Sequence, residues 1–405
     1  ARRGRHRAPG GPMNATVYGA TARSVPRSGR VAVAYTFGVS GALTGSWAPR
    51  IPQIKTELGL GTGALGVALL ALAAGALVAM PLAGTGVARW GSRRVTRALL
   101  VAFCLLAGGV GLAWSLWSLW LVLFCWGATV GALDVAMNSQ GVRVERAYRR
   151  PVLSSFHAAF SAGTLLGAGL GSVAAALGTP VGWQQLGLGL VLLAGWPLTR
   201  AFLVDEALPA GSPGPAPLFA LPSGRLLLLG LGAFGCMLCE GAASDWSAVQ
   251  LRESLGASPG VAGSGFVAFA LTMTAGRMVG DRITTRLGRV RTVRAFTLLG
   301  AVGLAAGLGV GTVAGAVVGF CLLGVGLSCV VPVLFGAAGE HAGATGPAIA
   351  AVATCGYLGW MLGPAIVGGL AHAVGLSAAL WLLPVLTATT GVLAFAAREP
   401  RTGPR

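Results

Sequence analysis

Gly84-Thr-Gly-Val-Ala88-Arg89-Trp90-Gly91-Ser92-Arg93-Arg94 is a short basic stretch between two long apolar runs. A related stretch returns about 197 residues later, where Thr285-Arg286-Leu287-Gly288 matches Ala88-Arg89-Trp90-Gly91. Other positions keep nearly the same spacing. Gly66 matches Gly263, Gly163 and Gly167 match Gly359 and Gly363, and Trp47 corresponds loosely to Trp246. The chain therefore reads as two copies of one unit.

The material around these stretches suits a bilayer. Of the 405 residues, 55% are hydrophobic and 10% are charged, with a mean hydropathy of +0.76. A soluble domain carries about 25% charged residues to cover its surface. Apolar runs long enough to cross a hydrocarbon core, roughly 20 residues each, fall at 31–49, 63–83, 95–114, 117–139, 153–178 and 182–204 in the first half. In the second they fall at 225–248, 259–280, 292–311, 313–337, 346–370 and 376–397. These twelve runs predict an all-α polytopic membrane protein. Its expected parts are a basic disordered tail at 1–30, six-helix bundles at 31–204 and 225–397, a Pro-rich central loop at 205–224 and a tail at 398–405. The tail at 1–30 does not resemble a signal peptide, because it has no apolar core.

Charge sets the expected topology. The net charge is +18. With both termini on one side, all of the 29 Lys and Arg fall on that side except Arg50, Lys55 and Arg252. Positive residues concentrate on the cytoplasmic face of membrane proteins. Both termini are thus expected in the cytoplasm, with the chain in a bacterial cytoplasmic (inner) membrane. The same distribution argues against nucleic acid as a partner, since no soluble basic patch forms. Seven Cys lie mostly within apolar runs, and Cys236 and Cys239 read as helix packing residues.

Two copies in the same orientation imply a parallel repeat around a midplane site. The segment from Gly84 to Arg94 also resembles the loop signature of the major facilitator superfamily, Gly-x-x-x-Asp-Arg-x-Gly-Arg-Arg. Ala88 stands at the Asp position, and Ser92 replaces an Arg. The second copy, Gly280-Asp281-Arg282 through Gly288-Arg289, has its acid earlier. Further segments are similar to the YbjJ-type bacterial inner-membrane subfamily. They are Ser46 to Pro52, Asp134 to Asn138, Ser154 to His157, Glu240 to Ser247, and Ala275 to Arg277 with Gly280 to Arg282. The resemblance implies a secondary transporter of a small solute, working by alternating access. It also implies that spans 1, 4, 7 and 10 line the cavity.

Charge within a membrane costs roughly 2.5–3.5 kcal/mol on the lenient insertion scale, so it marks candidates. Asp134 and Asn138 are one turn apart on span 4. They form either a polar substrate wall with a proton-titrating acid, or a structural anchor. Glu240 and Ser244 share a face of span 7, with Asp245 and Trp246 following. Glu240 is the first candidate for a coupling acid; its alternative is a permanent ion pair. Trp47 and Trp246 are candidate cavity residues. His157 is either a proton relay with Asp134 or a packing residue.

Arg50 and Asp245 sit at the outer ends of spans 1 and 7. They are either a gate salt bridge or two solvated rim charges. Arg277 and Asp281, with Arg89, Arg93 and Arg94, are expected to lock inner loops to neighbouring helices. Gly163, Gly167 and Gly171 on span 5, like Gly359 and Gly363 on span 11, form small-residue ridges for close helix packing. The antiporter signature of span 5 has a Pro where Ala168 stands.

No phosphate-binding Gly-rich loop, zinc motif or nucleophile elbow is present. The expectation is a transporter and not an enzyme, with no cofactor and no metal. It should take a small-molecule substrate, sit in the lipid bilayer, use protons and work as a monomer. The alternatives are a transporter-like sensor or scaffold without flux, a channel, and an exporter of drugs or metabolites in place of a sugar-type importer.

Overall fold

A computed structural model describes residues 27–148, 152–202, 224–339 and 345–398. The tail at 1–26, Arg149, Arg150, the central loop at 205–223 and residues 399–405 lie outside the described residues. No strand occurs among the described residues.

The helices of the first half are α1 (Arg27–Trp47), α2 (Ile51–Glu57), α3 (Thr62–Trp90), α4 (Ser92–Leu106), α5 (Leu116–Tyr148), α6 (Leu153–Ala176) and α7 (Val181–Leu193). Those of the second half are α8 (Arg225–Val249), α9 (Pro259–Ala262), α10 (Ser264–Leu287), α11 (Arg289–Val310), α12 (Val313–Leu327), α13 (Val330–Gly339), α14 (Thr345–Val374), α15 (Leu376–Ala379) and α16 (Leu382–Leu393). Helices suit the bilayer because they satisfy every backbone group within the segment.

Among the described residues, nine helical segments are long and apolar enough to cross a membrane. The other three expected spans fall on α1, α7 and α10. Each falls short for a visible reason. α1 carries Thr36, Ser40, Thr44 and Ser46. α7 has 13 residues before a 3-10 turn at Trp196–Ala201. α10 carries Arg277, Asp281, Arg282 and Arg286. Twelve crossings are consistent with this set.

The repeated basic stretch is a helix–helix corner. α3 ends at Gly91 with φ +83°, and α10 ends at Gly288 with φ +77°. Both torsion pairs lie in a region essentially reserved for glycine. This is why Arg-Trp-Gly and Arg-Leu-Gly recur. Ser92, which departs from the family signature, is fully buried and accepts a hydrogen bond from Gln140 Nε2 of α5 at 2.7 Å. An Arg would not fit there. The split between the ninth and tenth spans is set by Gly311, at φ +66°, and by Thr312, whose hydroxyl caps Gly315 N at 3.1 Å. The tenth span is broken into α12 and α13 near Ser328.

Packing repeats along with sequence. α1 packs on α6 as α8 packs on α14, and α3 packs on α5 as α10 packs on α12. The contacts match residue for residue. A Cβ at Gly163 would run into the Gly38 carbonyl, and one at Gly359 would run into the Phe234 carbonyl. Gly127 abuts the Leu72 carbonyl, and Gly324 abuts that of Phe269. The partners Gly38 and Phe234, like Leu72 and Phe269, are themselves equivalent in the repeat. The glycine ridges therefore serve close helix packing.

Candidate functional site

The halves meet through α3 against α14 and through α6 against α10. The close approaches between them gather at the end of the molecule away from both termini, here called the far side. A Cβ on Gly66 would lie 2.7 Å from the Pro364 carbonyl oxygen and 3.0 Å from Gly368 Cα. Gly263, its repeat mate, abuts Ser172 Oγ and Pro49. Gly260 abuts Ala176, and Gly63 faces the ring of His372. Lys55 of α2 donates to Glu253, which lies in a π-turn at Gln250–Ser254 after α8. The far side is thus closed by contacts from both halves.

Toward the terminal side, polar groups of the two halves come within electrostatic range of one another. Asp134 of α5 interacts electrostatically with Tyr357 of α14. His157 of α6 interacts in the same way with Arg277 of α10. Arg277 in turn pairs with Glu240 of α8, its Nη2 lying 3.3 and 3.4 Å from the two carboxylate oxygens. That is long for a charge-assisted bond. Both side chains are about one-third exposed, at 39% and 32%, so water screens the pair.

Depth brings these groups to a common level. Counting ~1.5 Å per residue from the terminal-side helix ends, Asp134 lies about 21 Å deep, Glu240 about 22 Å and Tyr357 about 18 Å. On the same count Arg277 lies about 15 Å deep and His157 about 6 Å. The first four fall near the middle of a core about 30 Å thick.

Local geometry holds the first wall. Asn138 Nδ2 donates to the Asp134 backbone oxygen at 2.9 Å and to Asp134 Oδ1 at 3.0 Å. The one-turn spacing thus fixes the carboxylate with the amide beside it. Gly127 and Gly131 let α5 sit tightly on α3 behind this pair. On α8, Phe234, Met237, Glu240 and Ser244 are partly exposed while the residues between them are buried. They mark one stripe of the helix, and that stripe carries Glu240. Asp245 is likewise half-buried.

Several expected placements differ. Trp47 and Trp246 are 5% and 0% exposed and do not open onto the polar space. Trp47 packs edge-on to Trp126, with centroids 6.1 Å apart. Trp246 meets Gly368 at the far-side seam. Arg50 is fully buried, and its Nη2 donates to Gln53 Oε1 and to the Thr179 carbonyl. It joins the end of α1 to the α6–α7 corner, and among the described residues it is Lys55 that pairs with Glu253 across the halves. Spans 1 and 7 do end together at the far side, but the π-turn carries Glu253 to the seam. His157 is exposed and lies edge-on to Phe37, with centroids 5.2 Å apart.

Of the basic corner residues, Arg93 locks α4 to the chain after α7 by donating to the Arg200 carbonyl at 2.8 Å. Arg89 lies over the ring of its neighbour Trp90, and Arg94 is exposed. The Asp281 side chain lies outside the described residues. Arg277 is the larger surprise, since it faces Glu240 and not an inner loop. Tyr357 was missed by the sequence reading. A lone tyrosine in an apolar run carries no spacing signal. All seven cysteines are free.

Comparisons with known proteins agree on kind. A family model described as Major Facilitator Superfamily matches residues 228–405. An uncharacterised transporter of this type from Yersinia pestis is 36% identical over 377 residues, covering 91% of this chain and 95% of that one. The membrane protein MosC of Rhizobium meliloti is 33% identical over 356 residues, covering 86% and 85%. Among solved structures, the nucleoside transporter NupG superposes with a TM-score of 0.71 at 12% identity, over 91% of this chain and 98% of NupG.

Proposed function

We propose, from the premise that this chain belongs to the major facilitator superfamily, that it uses a proton gradient to move a small hydrophilic solute across the bacterial cytoplasmic membrane. It is an integral membrane secondary transporter and not an enzyme. Both termini lie in the cytoplasm, which makes the closed far side the external one. Asp134, Glu240 and Arg277 then lie on the cytoplasmic side of that closure. One chain suffices for transport, because each wall comes from a different half of the same chain.

The observation that carries this reading is the Glu240–Arg277 ion pair near mid-depth in the second half, with Asp134, held by Asn138, at a similar depth in the first. Groups that bind one solute from two rocking halves tie its binding to the motion of the halves. Glu240 couples the proton. A proton on Glu240 removes the charge that holds Arg277, so the guanidinium turns to the solute. Losing that proton to the cytoplasm restores the pair and releases the solute. Asp134 holds the solute from the other wall.

The test is flux in proteoliposomes under an imposed pH gradient. Wild-type protein accumulates a solute only with the gradient. Glu240→Gln keeps solute exchange but loses gradient-driven accumulation. Absence of flux with every solute of a broad panel refutes transport and favours a sensor.

A further inference from the structure

The terminal-side face of the second half carries an open hollow of about 740 Å³. Arg289 and Arg291 of α11 and Arg398 after span 12 line it, together with Leu287, Val290 and Ala397. No Asp or Glu is among the described residues that line it. Packing holds its walls in place. α11 lies against α16 and against the 3-10 turn at Ala394–Ala397 that follows. Arg225 of α8 braces that turn, donating from Nε to the Ala396 carbonyl at 2.6 Å and from Nη2 to the Arg398 carbonyl. Three guanidiniums are thus brought to one hollow, and their planar forks match the oxygens of a phosphate.

The surface beyond the hollow decides which phosphate compound fits. Arg291 and Arg398 are both exposed, and each ends an exposed apolar stripe. On α11, Leu298 and Val302 stand seven and eleven residues after Arg291, a helical spacing that keeps them on one face. On span 12, Val385, Val392 and Phe395 lead to Arg398 in the same way. Counting ~1.5 Å per residue, Val302 lies about 16 Å beyond Arg291. That is close to half of a hydrocarbon core about 30 Å thick. Each stripe therefore spans roughly one leaflet.

We infer that this hollow is a binding site for an anionic phospholipid. The phosphate sits among Arg289, Arg291 and Arg398, and the acyl chains lie along α11 and span 12. A zwitterionic lipid brings its own ammonium group among the arginines. A free phosphate leaves the apolar stripes unused. The site lies apart from Asp134, Glu240 and Arg277, so it stands whatever solute is moved.

Native mass spectrometry of the delipidated full chain in detergent tests this, with dioleoyl phosphatidylglycerol and dioleoyl phosphatidylcholine as probes. The first phosphatidylglycerol should bind about tenfold more tightly than the first phosphatidylcholine. Arg291→Gln should weaken phosphatidylglycerol about fivefold, and adding Arg398→Gln should erase the preference. Both side chains are exposed, and an unchanged melting temperature without lipid checks that the variants are folded. Arg146→Gln removes an exposed arginine at the terminal-side end of α5, outside the hollow, and should leave the preference intact. Glycerol 3-phosphate and inorganic phosphate should not displace the lipid. Equal binding of the two lipids, or a preference that survives the double variant, overturns the inference. An equal loss with Arg146→Gln overturns it in favour of diffuse charge attraction, and displacement by either free phosphate overturns it in favour of a simple anion site.

Discussion

Lys55 of the first half donates to Glu253 of the second across the far-side seam. Their side chains are 11% and 30% exposed. The pair therefore joins two bodies that must separate when the far side opens. The contact exists in one conformation and not in the other, so it biases the equilibrium between them. An exposed pair contributes up to about 1 kcal/mol, and this one sits near that limit because Lys55 is nearly covered. Glu253→Gln should shift the population toward the far-side-open form about fivefold. Spin–spin distances across the seam report the shift. The swap of Lys55→Glu with Glu253→Lys should return the distribution toward wild type, and a swap as open as the single variant would rule out the pair as a latch.

The glycine ridges predict a symmetric pattern of stability. Gly163→Ala and Gly359→Ala each push a methyl into a carbonyl of the facing helix. Backbone cannot move aside as a side-chain tip can. Each should cost about 1–3 kcal/mol, seen as a lowered melting temperature in detergent. Gly169→Ala, on the same helix as Gly163 but with nothing within 4 Å of its added Cβ, should stay within about 0.5 kcal/mol of wild type. Equal effects at Gly163 and Gly169 would contradict the packing.

The corner glycines make a different prediction, because their backbone torsions decide it. Gly288 has nothing within 4 Å of an added Cβ, and Gly91 and Gly288 sit at φ +83° and +77°. Alanine at either position should cost about 1–3 kcal/mol through backbone strain. D-alanine introduced by semisynthesis should restore stability, because its mirror-image preference fits positive φ. Failure of the D-residue to restore it would mean that the site needs glycine for another reason.

How much of this was legible in the sequence follows from which signals repeat. Long apolar runs, the one-sided Arg distribution and the recurring Arg-x-Gly corner are all periodic or additive over many residues. They predict twelve spans in two halves; nine helical segments among the described residues are long and apolar enough to cross, and the other three spans overlap α1, α7 and α10. Asp134 with Asn138 was also legible, since one-turn spacing fixes their contact within a single helix. Contacts between helices were not. Arg50 read as either a gate partner for Asp245 or a solvated rim charge, because both end equivalent spans, yet it is buried and the Thr179 carbonyl takes the guanidinium. Lys55–Glu253 depends on a π-turn that shifts the register after Val249, and no composition rule announces such a turn. Tyr357 comes within electrostatic range of Asp134 only through the packing of helices far apart in the sequence.

Arg50 supplies the last prediction. It is buried, with Nη2 on Gln53 and Thr179, while Nε and Nη1 make no hydrogen bond among the described residues. A charge in that position carries a desolvation penalty that its partners only partly offset. Two substitutions separate packing from charge. Arg50→Ala removes both and leaves a cavity beside Pro49 and Thr179, so it should destabilise by about 3–5 kcal/mol. Arg50→Met keeps most of the volume and removes the poorly satisfied donors. It should cost less than about 1.5 kcal/mol, and a gain in melting temperature is compatible with the same physics. If the methionine variant is as unstable as the alanine one, the hydrogen bonds to Gln53 and Thr179 outweigh the burial cost, and Arg50 is an electrostatic anchor of the α1–α6 corner after all.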